Sequence, residues 1–322
     1  MIADVVRRGL GAVPKTLPPF LLYDEEGSRL YERITTLPEY YLTRTEHGIL
    51  RSHAAEIVAA AARGAGAPLA VVELGAGTAA KTEILLRELV RRQKTCRYVP
   101  IDISGPTLLR TRRRLHEVMP HVEVLPQATT LHEAFDSTWD LATPRLVLFI
   151  GSSIGNLDDD EGANLLASIG RALGPRTYLL LGTDLRKDPA ELVRAYDDAA
   201  GVTAAFNKNL LARINRELGG NFFLEAFRHV ARWNEGESRI EMHLESQVAQ
   251  VVSIAALPLS VTFGAGETIH TESSVKYDLP RVERLLRAGG FALERTFFDP
   301  TRRFAVHLAR RANANEGPHG SS

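Results

Sequence analysis

The residues with the clearest chemical potential lie in VVELGAGTAAKT, residues 71–82, where an apolar run ends in a glycine-rich turn. Turns of this kind, between a strand and a helix, commonly hold nucleotide-like ligands. From Gly75 the spacing nearly fits the phosphate-binding pattern G-x-x-x-x-G-K-[ST], with Lys81 and Thr82 in register, and also nearly fits the dinucleotide pattern G-x-G-x-x-G. Both patterns require glycine at position 80, where this chain has Ala80. The turn therefore predicts a nucleotide-like ligand without identifying it.

Three residues in and near this turn argue against a phosphate ligand. Alanine at position 80 is costlier than glycine if a phosphate cradle requires a positive φ there. The carboxylate of Glu73 is expected to repel phosphates and to attract a cation. Asp102, at the end of the next predicted strand, is placed to accept hydrogen bonds from ribose hydroxyls. These features favour S-adenosylmethionine, which carries adenosine, a sulfonium cation and no phosphate; NAD(H) and a turn without any ligand remain alternatives.

The elements that position these residues alternate between strands and helices in the middle of the chain. Short apolar runs predict strands, and the amphipathic stretches 83–93 and 162–173 predict helices between them. This alternation predicts βαβ units and a doubly wound parallel sheet, whose ligands bind beyond the carboxyl ends of the strands. The predicted strands are Leu69–Leu74, Tyr98–Ile103, Val122–Leu125, Leu146–Ile150 and Tyr178–Thr183.

Two segments interrupt the alternation and predict a second domain. The first 45 residues contain loops and one short predicted helix, and residues 188–275 begin with helices and then become rich in strands. After Pro280 the alternation returns with a helix and two strands. We therefore expect a sheet domain of residues 46–187 plus 276–311, an α+β domain of residues 1–45 plus 188–275, and a disordered tail of residues 312–322.

Composition excludes several classes of function. Basic and acidic residues both number 39, and a net charge of zero argues against bulk binding to nucleic acid or to an anionic membrane. Cys96 is the only cysteine of the 322 residues, which excludes an intramolecular disulfide and fits the reducing cytoplasm.

The uncharged run 246–266 is long enough to span a bilayer, but the alternation in 259–263 predicts strands instead. The histidines show no metal-binding spacing, so we expect no metal.

Longer blocks, in order along nearly the whole chain, sharpen the prediction. They are LPEYYLTRTE (37–46), ELGAGTAAKT (73–82), GSSIGNL (151–157), LLLGTDLRKD (179–188), AYDDAAGVTAAFNKN (195–209), RIEMHL (239–244) and TESSVKY (271–277). Together they resemble the ergothioneine-pathway L-histidine Nα-methyltransferase family. The resemblance implies an α/β fold, with a doubly wound class I methyltransferase sheet and a second α+β substrate-binding domain.

The resemblance also implies roles for individual residues. Those that match contacts to S-adenosyl-L-methionine are Gly75, Lys81 and Asp102. Those that match contacts to the substrate histidine are Tyr40, Asn156, Tyr196, Met242, Glu272, Ser273 and Ser274. Tyr23, in FLLYDEEG, matches a tyrosine that faces the reacting amine and is the predicted catalytic residue.

One segment departs from the family pattern. After the third strand the family usually has Gly-Asp-Phe, whose acidic and aromatic residues meet the adenine, whereas QATTLHEAF places Thr130 and Leu131 there. We keep both as predicted cofactor contacts, because threonine still offers a hydroxyl group. A carboxylate acceptor for the adenine amino group is lost at this position, and His132 or Glu133 is a candidate replacement. The departure also motivates an alternative, a binding protein without catalytic activity.

The implied reaction is trimethylation of the α-amino group of L-histidine to hercynine. Such a displacement needs a neutral amine, in line with the methyl carbon and the sulfur, and no covalent intermediate. Asn156 and Tyr196 offer neutral donors for the carboxylate, and Glu272 can accept the imidazole N–H. An apolar ring would leave Glu272 unpaired, which favours histidine. The expected partner is this small amino acid and the expected state a monomer; alternatives are another amino acid or a histidine derivative as acceptor, and an NAD-dependent oxidoreductase.

Overall fold

The structure, a computed structural model, describes residues 2–63, 66–131, 133–135, 139–140 and 143–312. The predicted tail at 312–322 therefore lies, apart from Ala312, outside the described residues. The α-helices of the described part are α1 Ile2–Gly11, α2 Glu25–Ile34, α3 Leu42–Ala61, α4 Thr82–Gln93, α5 Gly105–Val118, α6 Asp159–Leu173, α7 Pro189–Tyr196, α8 Val202–Leu218 and α9 Leu279–Ala288. In this part of the chain no helix is both long and apolar enough to cross a membrane.

The strands build two larger sheets and one two-stranded ribbon. In chain order they are β1 Lys15–Thr16, β2 Ala70–Leu74, β3 Cys96–Asp102, β4 Val122–Val124, β5 Gln127–Ala128, β6 Arg145–Phe149, β7 Thr177–Asp184, β8 Phe227–Asn234, β9 Arg239–Ser246, β10 Gln250–Ile254, β11 Leu259–Phe263, β12 Thr268–Val275, β13 Phe291–Phe298 and β14 Phe304–Arg311.

The chain divides into two compact units. The α+β unit consists of residues 1–41 and 187–276, and the sheet unit consists of residues 42–186 and the chain from Tyr277 onward. Each unit is therefore assembled from two separate stretches of sequence.

The sheet unit contains an eight-stranded sheet in the order β13-β14-β7-β6-β2-β3-β4, with β5 paired to β3. Strands β2, β3, β4, β6 and β7 pair in parallel, and β14 is antiparallel to both β7 and β13. Every residue of β2 and β6 is buried, because helices cover both faces of such a sheet. The five predicted strands are confirmed, with ends shifted by one or two residues, and the closing hairpin is confirmed as β13 and β14.

The α+β unit contains a four-stranded sheet in the order β1-β12-β9-β8 and the separate pair β10-β11. Helices α7 and α8 pack against β8 and β9. The pair β10-β11 confirms the strand interpretation of residues 246–266. The prediction of loops and one short helix for the first 45 residues is wrong at α1, where Val6 and Leu10 bury one face of a largely polar helix.

Candidate active site

The glycine-rich turn of the sheet unit connects the end of β2 to the start of α4. Gly75 and Gly77 have φ of +64° and +48°, a conformation that side chains other than glycine rarely adopt. A Cβ placed on either glycine would meet no atom within 4 Å. Backbone conformation, rather than crowding, therefore requires these glycines, and the space beside the turn fits the close approach of a ligand to the main chain.

Asp102, at the end of β3, holds this turn in place. Its Oδ2 accepts the N–H of Gly77 at 2.9 Å, and its Oδ1 accepts the N–H of Ser104 at 2.9 Å. Each carboxylate oxygen keeps a second lone pair, so the predicted role as ribose acceptor is chemically compatible with these bonds.

The structure corrects the backbone argument about Ala80. The non-glycine residue with positive φ in this turn is Ala79, at +54°, and Ala80 does not have positive φ. Position 80 therefore does not require the left-handed conformation that made alanine costly there, and the absence of glycine at position 80 carries less weight against phosphate than predicted.

Glu73 also differs from its prediction as a residue that repels phosphates and attracts a cation. Its side chain is fully buried within β2 and accepts hydrogen bonds from Thr82 Oγ1, at 2.6 Å, and from the Tyr98 hydroxyl. Burial raises the pKa of Glu73 to about 7, although the two hydroxyl groups oppose this shift. Glu73 therefore anchors the start of α4 to the sheet and does not present a carboxylate to a ligand.

Lys81 has a partner that the sequence did not reveal. Its ammonium group bonds to the carboxylate of Glu46 in α3, which also accepts the N–H of Gly151 at 2.8 Å. Glu46 is fully buried. The signal available in the sequence was its place at the end of the block LPEYYLTRTE.

The departing segment forms a local cap. Thr130 Oγ1 donates to Glu133 Oε2 at 2.8 Å, and the Glu133 N–H donates to Thr130 Oγ1 at 3.3 Å, as in a T-x-x-E capping box before the 3₁₀ helix Glu133–Phe135. The hydrogen bond from Thr130 lowers the pKa of Glu133. An ionised carboxylate thus lies beside Thr130, while Leu131 is half-buried and His132 lies outside the described residues.

The α+β unit gathers five aromatic rings, which we call the tyrosine cluster: Tyr23, Tyr31, Tyr40, Tyr196 and Phe206. The ring centroids of Tyr23 and Phe206 are 5.4 Å apart, and those of Tyr40 and Tyr196 are 6.2 Å apart, both edge to face. Tyr31 lies between Tyr23 and Tyr40, at 5.7 and 6.3 Å. Burial raises the pKa of Tyr40 well above its ordinary value, so this phenol stays protonated. Tyr31 was not among the predicted site residues.

Tyr196 and Ser274 form a triangle with a third residue, Lys276. The hydroxyl oxygens of Tyr196 and Ser274 are 2.8 Å apart, and Lys276 Nζ donates to each of them at 2.9 Å. All three side chains are buried, and Lys276 Nζ lies 4.5 Å from the centroid of the Tyr196 ring. Because an ammonium group only donates, one hydroxyl proton joins the two oxygens and the other points out of the triangle.

A β-bulge in β12 brings Glu272 to the same face as Met242. The register pairs His270 with His243 and then Glu272 with Met242, so Thr271 is an extra residue. Strict alternation would place Glu272 on the face of His270; the extra residue moves it to the opposite face. Glu272 and Met242 are accordingly directly opposite each other and buried.

Ser273 lies on the opposite face of the sheet from Glu272 and Ser274. It pairs with Glu241 on the other face of the sheet, and its hydroxyl lies 3.0 Å from Nε2 of His270. Alternation along β12 therefore separates Ser273 from Glu272 and Ser274, and the structure gives no support for Ser273 in the same pocket.

Two further contacts position Tyr196. His229 Nε2 is 2.8 Å from the Tyr196 carbonyl oxygen, and His229 Nδ1 is 2.9 Å from Nδ2 of Asn207 in α8. Since an amide nitrogen donates, Nδ1 accepts and the imidazole proton lies on Nε2, toward the carbonyl. Burial lowers the pKa of His229, which favours this neutral form.

Asn156 is carried by the sheet unit, unlike the other predicted substrate residues. It ends the 3₁₀ helix Ser153–Asn156, which follows Ser152, a residue with φ of +59°. The next helix, α6, is capped by Asp158, whose side chain and that of Glu161 form a capping box. Asn156 is therefore not the cap of α6.

The strand order, the antiparallel β14 and the glycine-rich turn after β2 define the class I methyltransferase fold. A family model described as "Histidine-specific methyltransferase, SAM-dependent" matches residues 2–311, and the chain belongs to this family. It is 46% identical over 306 residues to Histidine N-alpha-methyltransferase of Mycolicibacterium smegmatis, covering 95% of this chain and 94% of that protein.

Other relatives agree with this assignment. The chain is 43% identical to Histidine N-alpha-methyltransferase of Mycobacterium tuberculosis, again over 95% of this chain and 94% of that protein. It is 31% identical over 284 residues to Ergothioneine biosynthesis protein 1 of Neurospora crassa, which covers 86% of this chain and 31% of that longer protein.

Proposed function

We propose that this protein transfers methyl groups from S-adenosyl-L-methionine to the α-amino group of L-histidine, in three rounds, to give hercynine for ergothioneine biosynthesis. The observation that carries the proposal is the buried polar face of the α+β unit, where the bulge at Thr271 places Glu272 opposite Met242. The names of the relatives support the same acceptor.

The imidazole is assigned to this face. Glu272 is the acceptor for an imidazole N–H, and Met242 supplies a soft apolar surface for the ring. A phenylalanine ring has no N–H to donate, so it would leave the buried Glu272 carboxylate without that bond. This asymmetry supports histidine over apolar aromatic amino acids.

The carboxylate of the amino acid is assigned to Tyr196 together with Ser274, because one of their two hydroxyl protons points out of the triangle with Lys276 and can be donated to an acceptor. The hydroxyl oxygens of Tyr196 and Ser274 are 2.8 Å apart, so Ser274 acts together with Tyr196. Asn156, which the sheet unit carries, stays a predicted donor to the same carboxylate.

The α-amino group is assigned to the tyrosine cluster, with Tyr23 facing the amine. The amine must lose its proton before it can attack, and a fully protonated Tyr40 cannot be the base that takes it at neutral pH. The proton therefore leaves through Tyr23, water or solvent. Positioning of the amine, rather than a strong base, supplies most of the acceleration.

The methyl donor is assigned to the sheet unit. Gly75 lets the ligand approach the main chain, Asp102 accepts from the ribose, and Lys81 pairs with the carboxylate of the amino-acid end. Thr130 and Leu131 border the adenine, with Glu133 as the carboxylate that replaces the missing family residue. Bound S-adenosylmethionine supplies an electrophilic methyl group on a sulfonium, so no metal is needed for the transfer.

The proposal is tested by giving the purified protein S-adenosylmethionine and each amino acid in turn, with detection by mass spectrometry. Histidine should gain three methyl groups, whereas an unchanged histidine mass would refute the proposal. Calorimetric titration with NAD(H) distinguishes the oxidoreductase alternative, and tight histidine binding without methylation would identify a binding protein.

The acceptor assignment is tested by the Glu272→Ala variant. We expect the preference for histidine over phenylalanine, as a ratio of kcat/KM, to fall about 30-fold, because a buried acceptor is lost. Glu241→Ala, on the neighbouring strand but the opposite face, is the matched control and should keep the preference. Equal preference in wild type and Glu272→Ala would assign the ring to another part of the protein.

A further inference from the structure

The carboxylate of Glu46 joins three elements of the sheet unit. Glu46 lies in α3, its Oε2 accepts a hydrogen bond from Lys81 Nζ, and both of its oxygens accept the N–H of Gly151, at 2.8 and 3.0 Å. Lys81 directly precedes α4, and Gly151 follows β6. One buried carboxylate therefore bonds to the glycine-rich turn and to the loop that leads to Asn156.

The surrounding backbone leaves space for this carboxylate. A Cβ on Gly182, in β7, would lie 2.1 Å from Oε1 of Glu46. A Cβ on Gly151, whose φ is +79°, would lie 3.4 Å from Nζ of Lys81. Gly182 thus makes room for the carboxylate, whereas Gly151 is required by its positive φ, since a Cβ there would be in ordinary van der Waals contact with Lys81. The space at Gly182 identifies the Glu46–Lys81 pair as a built feature of the sheet unit.

The pair restricts a side chain that is otherwise flexible. A lysine ammonium has three donors on a four-carbon stem, and one donor directed at Glu46 fixes the directions of the other two. The carboxylate itself is fully buried and reaches no solvent, so it acts through Lys81 and not on a ligand.

We propose that Glu46 is a positioning residue that holds Lys81 in the orientation in which it binds the carboxylate of S-adenosylmethionine. This proposal rests on the cofactor assignment made above. It predicts that Glu46 affects cofactor affinity only while Lys81 is present, whereas a general structural role would act with or without Lys81.

The test is calorimetric titration of wild type, Glu46→Gln, Lys81→Met and the double variant with S-adenosylhomocysteine. Glutamine keeps an acceptor for the Gly151 N–H but loses the charge that holds Lys81. We expect each single variant to bind about 10-fold more weakly, and the double variant to bind within about 2-fold of Lys81→Met, since strongly coupled contacts do not add. An additive double variant, or a Glu46→Gln variant with wild-type affinity, overturns the proposal.

Two further variants guard against loss of folding. Gly182→Ala pushes the Glu46 carboxylate aside without changing any charge, and it should weaken S-adenosylhomocysteine binding as Glu46→Gln does. Glu56 lies in the same helix, α3, where its half-buried carboxylate pairs with Arg295 of β13. Glu56→Gln is therefore the control and should leave the affinity unchanged. Urea unfolding of each variant shows whether it is folded.

The outcomes separate the two proposals. A wild-type protein that does not bind S-adenosylhomocysteine overturns the cofactor assignment and the role of Glu46 with it. A wild-type protein that binds it, together with additive effects of Glu46→Gln and Lys81→Met, overturns the role of Glu46 alone.

Discussion

The two units hold their functional groups by different means. In the sheet unit, buried or half-buried carboxylates accept main-chain N–H groups: Asp102 takes that of Gly77, and Glu46 takes that of Gly151. In the α+β unit, side chains hold side chains, as in the triangle of Tyr196, Ser274 and Lys276. Substitutions in the sheet unit should therefore act through backbone conformation, and those in the α+β unit through the orientation of donors.

Glu73 is an exception in the sheet unit, because its carboxylate is held by the side-chain hydroxyl groups of Thr82 and Tyr98 and not by main-chain N–H groups. Its folded-state pKa of about 7 exceeds the ordinary 4.5, so the contribution of Glu73 to the free energy of unfolding falls as pH rises from 4.5 to 7. Glu73→Gln removes this dependence, and over that range its stability should gain on wild type by about 3 kcal/mol, at 1.36 kcal/mol per pKa unit. Urea unfolding across this pH range measures the difference.

A matched variant checks the cause. Glu88, held by Arg91, has a pKa of about 2, so it stays ionised in the folded protein between pH 4.5 and 7, and the unfolded chain, with the ordinary pKa of 4.5, protonates it only toward the lower end of that range. Relative to wild type, the stability of Glu88→Gln should therefore change by less than about 0.5 kcal/mol over that window, and in the direction opposite to that of Glu73→Gln. A Glu73→Gln difference that stays constant with pH would mean that Glu73 is ionised in the folded protein at all these values.

Gly77→Val tests whether the sheet unit depends on its backbone conformation. A β-branched residue at φ of +48° is strained, and its side chain would occupy the open space beside the turn. We expect S-adenosylhomocysteine to bind about 100-fold more weakly, at 1.4 kcal/mol per factor of ten, while histidine contacts in the α+β unit stay intact. Calorimetry measures this, and a valine variant with wild-type affinity would place the ligand away from the turn.

Lys276→Met tests the α+β unit, where side chains hold other side chains, and its expected effect is smaller. Methionine fills a similar volume but donates to neither hydroxyl, so both hydroxyl protons become free to reorient. We expect the KM for histidine to rise about 10-fold, the cost of one hydrogen bond made with a charged donor. Steady-state kinetics measures KM and kcat separately.

Lys187→Met is the control for that variant. Lys187 also donates to a tyrosine hydroxyl, that of Tyr41, at 2.7 Å, and lies 4.7 Å from the centroid of its ring. Lys187 is not a predicted site residue, so its replacement should change the KM for histidine less than 2-fold. Equal increases in both variants would reduce Lys276 to a structural residue.

Local periodicity was sufficient to predict the sheet unit. Its strands are short, apolar and separated by amphipathic helices, so each is visible within a few residues of sequence. The same method fails at β12, because the face of Glu272 depends on one extra residue, Thr271, whose bulge leaves no local signal. Glu46 and Lys276 also escaped, since their partners lie 35 and 80 residues away along the chain.

The turn shows the same limit on a finer scale. The sequence identified the correct turn, but its strained alanine is Ala79 and not Ala80, and a shift of one residue changes the argument about φ. Thr130 is the reverse case. The sequence contains the T-x-x-E spacing that explains Thr130, and this spacing would have predicted its bonds with Glu133. The prediction for Thr130 rested instead on the carboxylate that the family usually has at this position.

The α+β unit has a consequence for synthesis of the protein on the ribosome. Strand β1 pairs with β12, so Thr16 meets its partner His270 only after most of the chain has been made. At about 5–20 residues per second, the intervening stretch of roughly 250 residues takes about 10–50 s to translate. During that time β1, which follows α1, has not yet paired with β12. The apolar face of α1, with Val6 and Leu10, therefore lacks part of the structure next to which it is buried in the finished protein. The nascent chain should therefore be a better chaperone substrate than the finished protein.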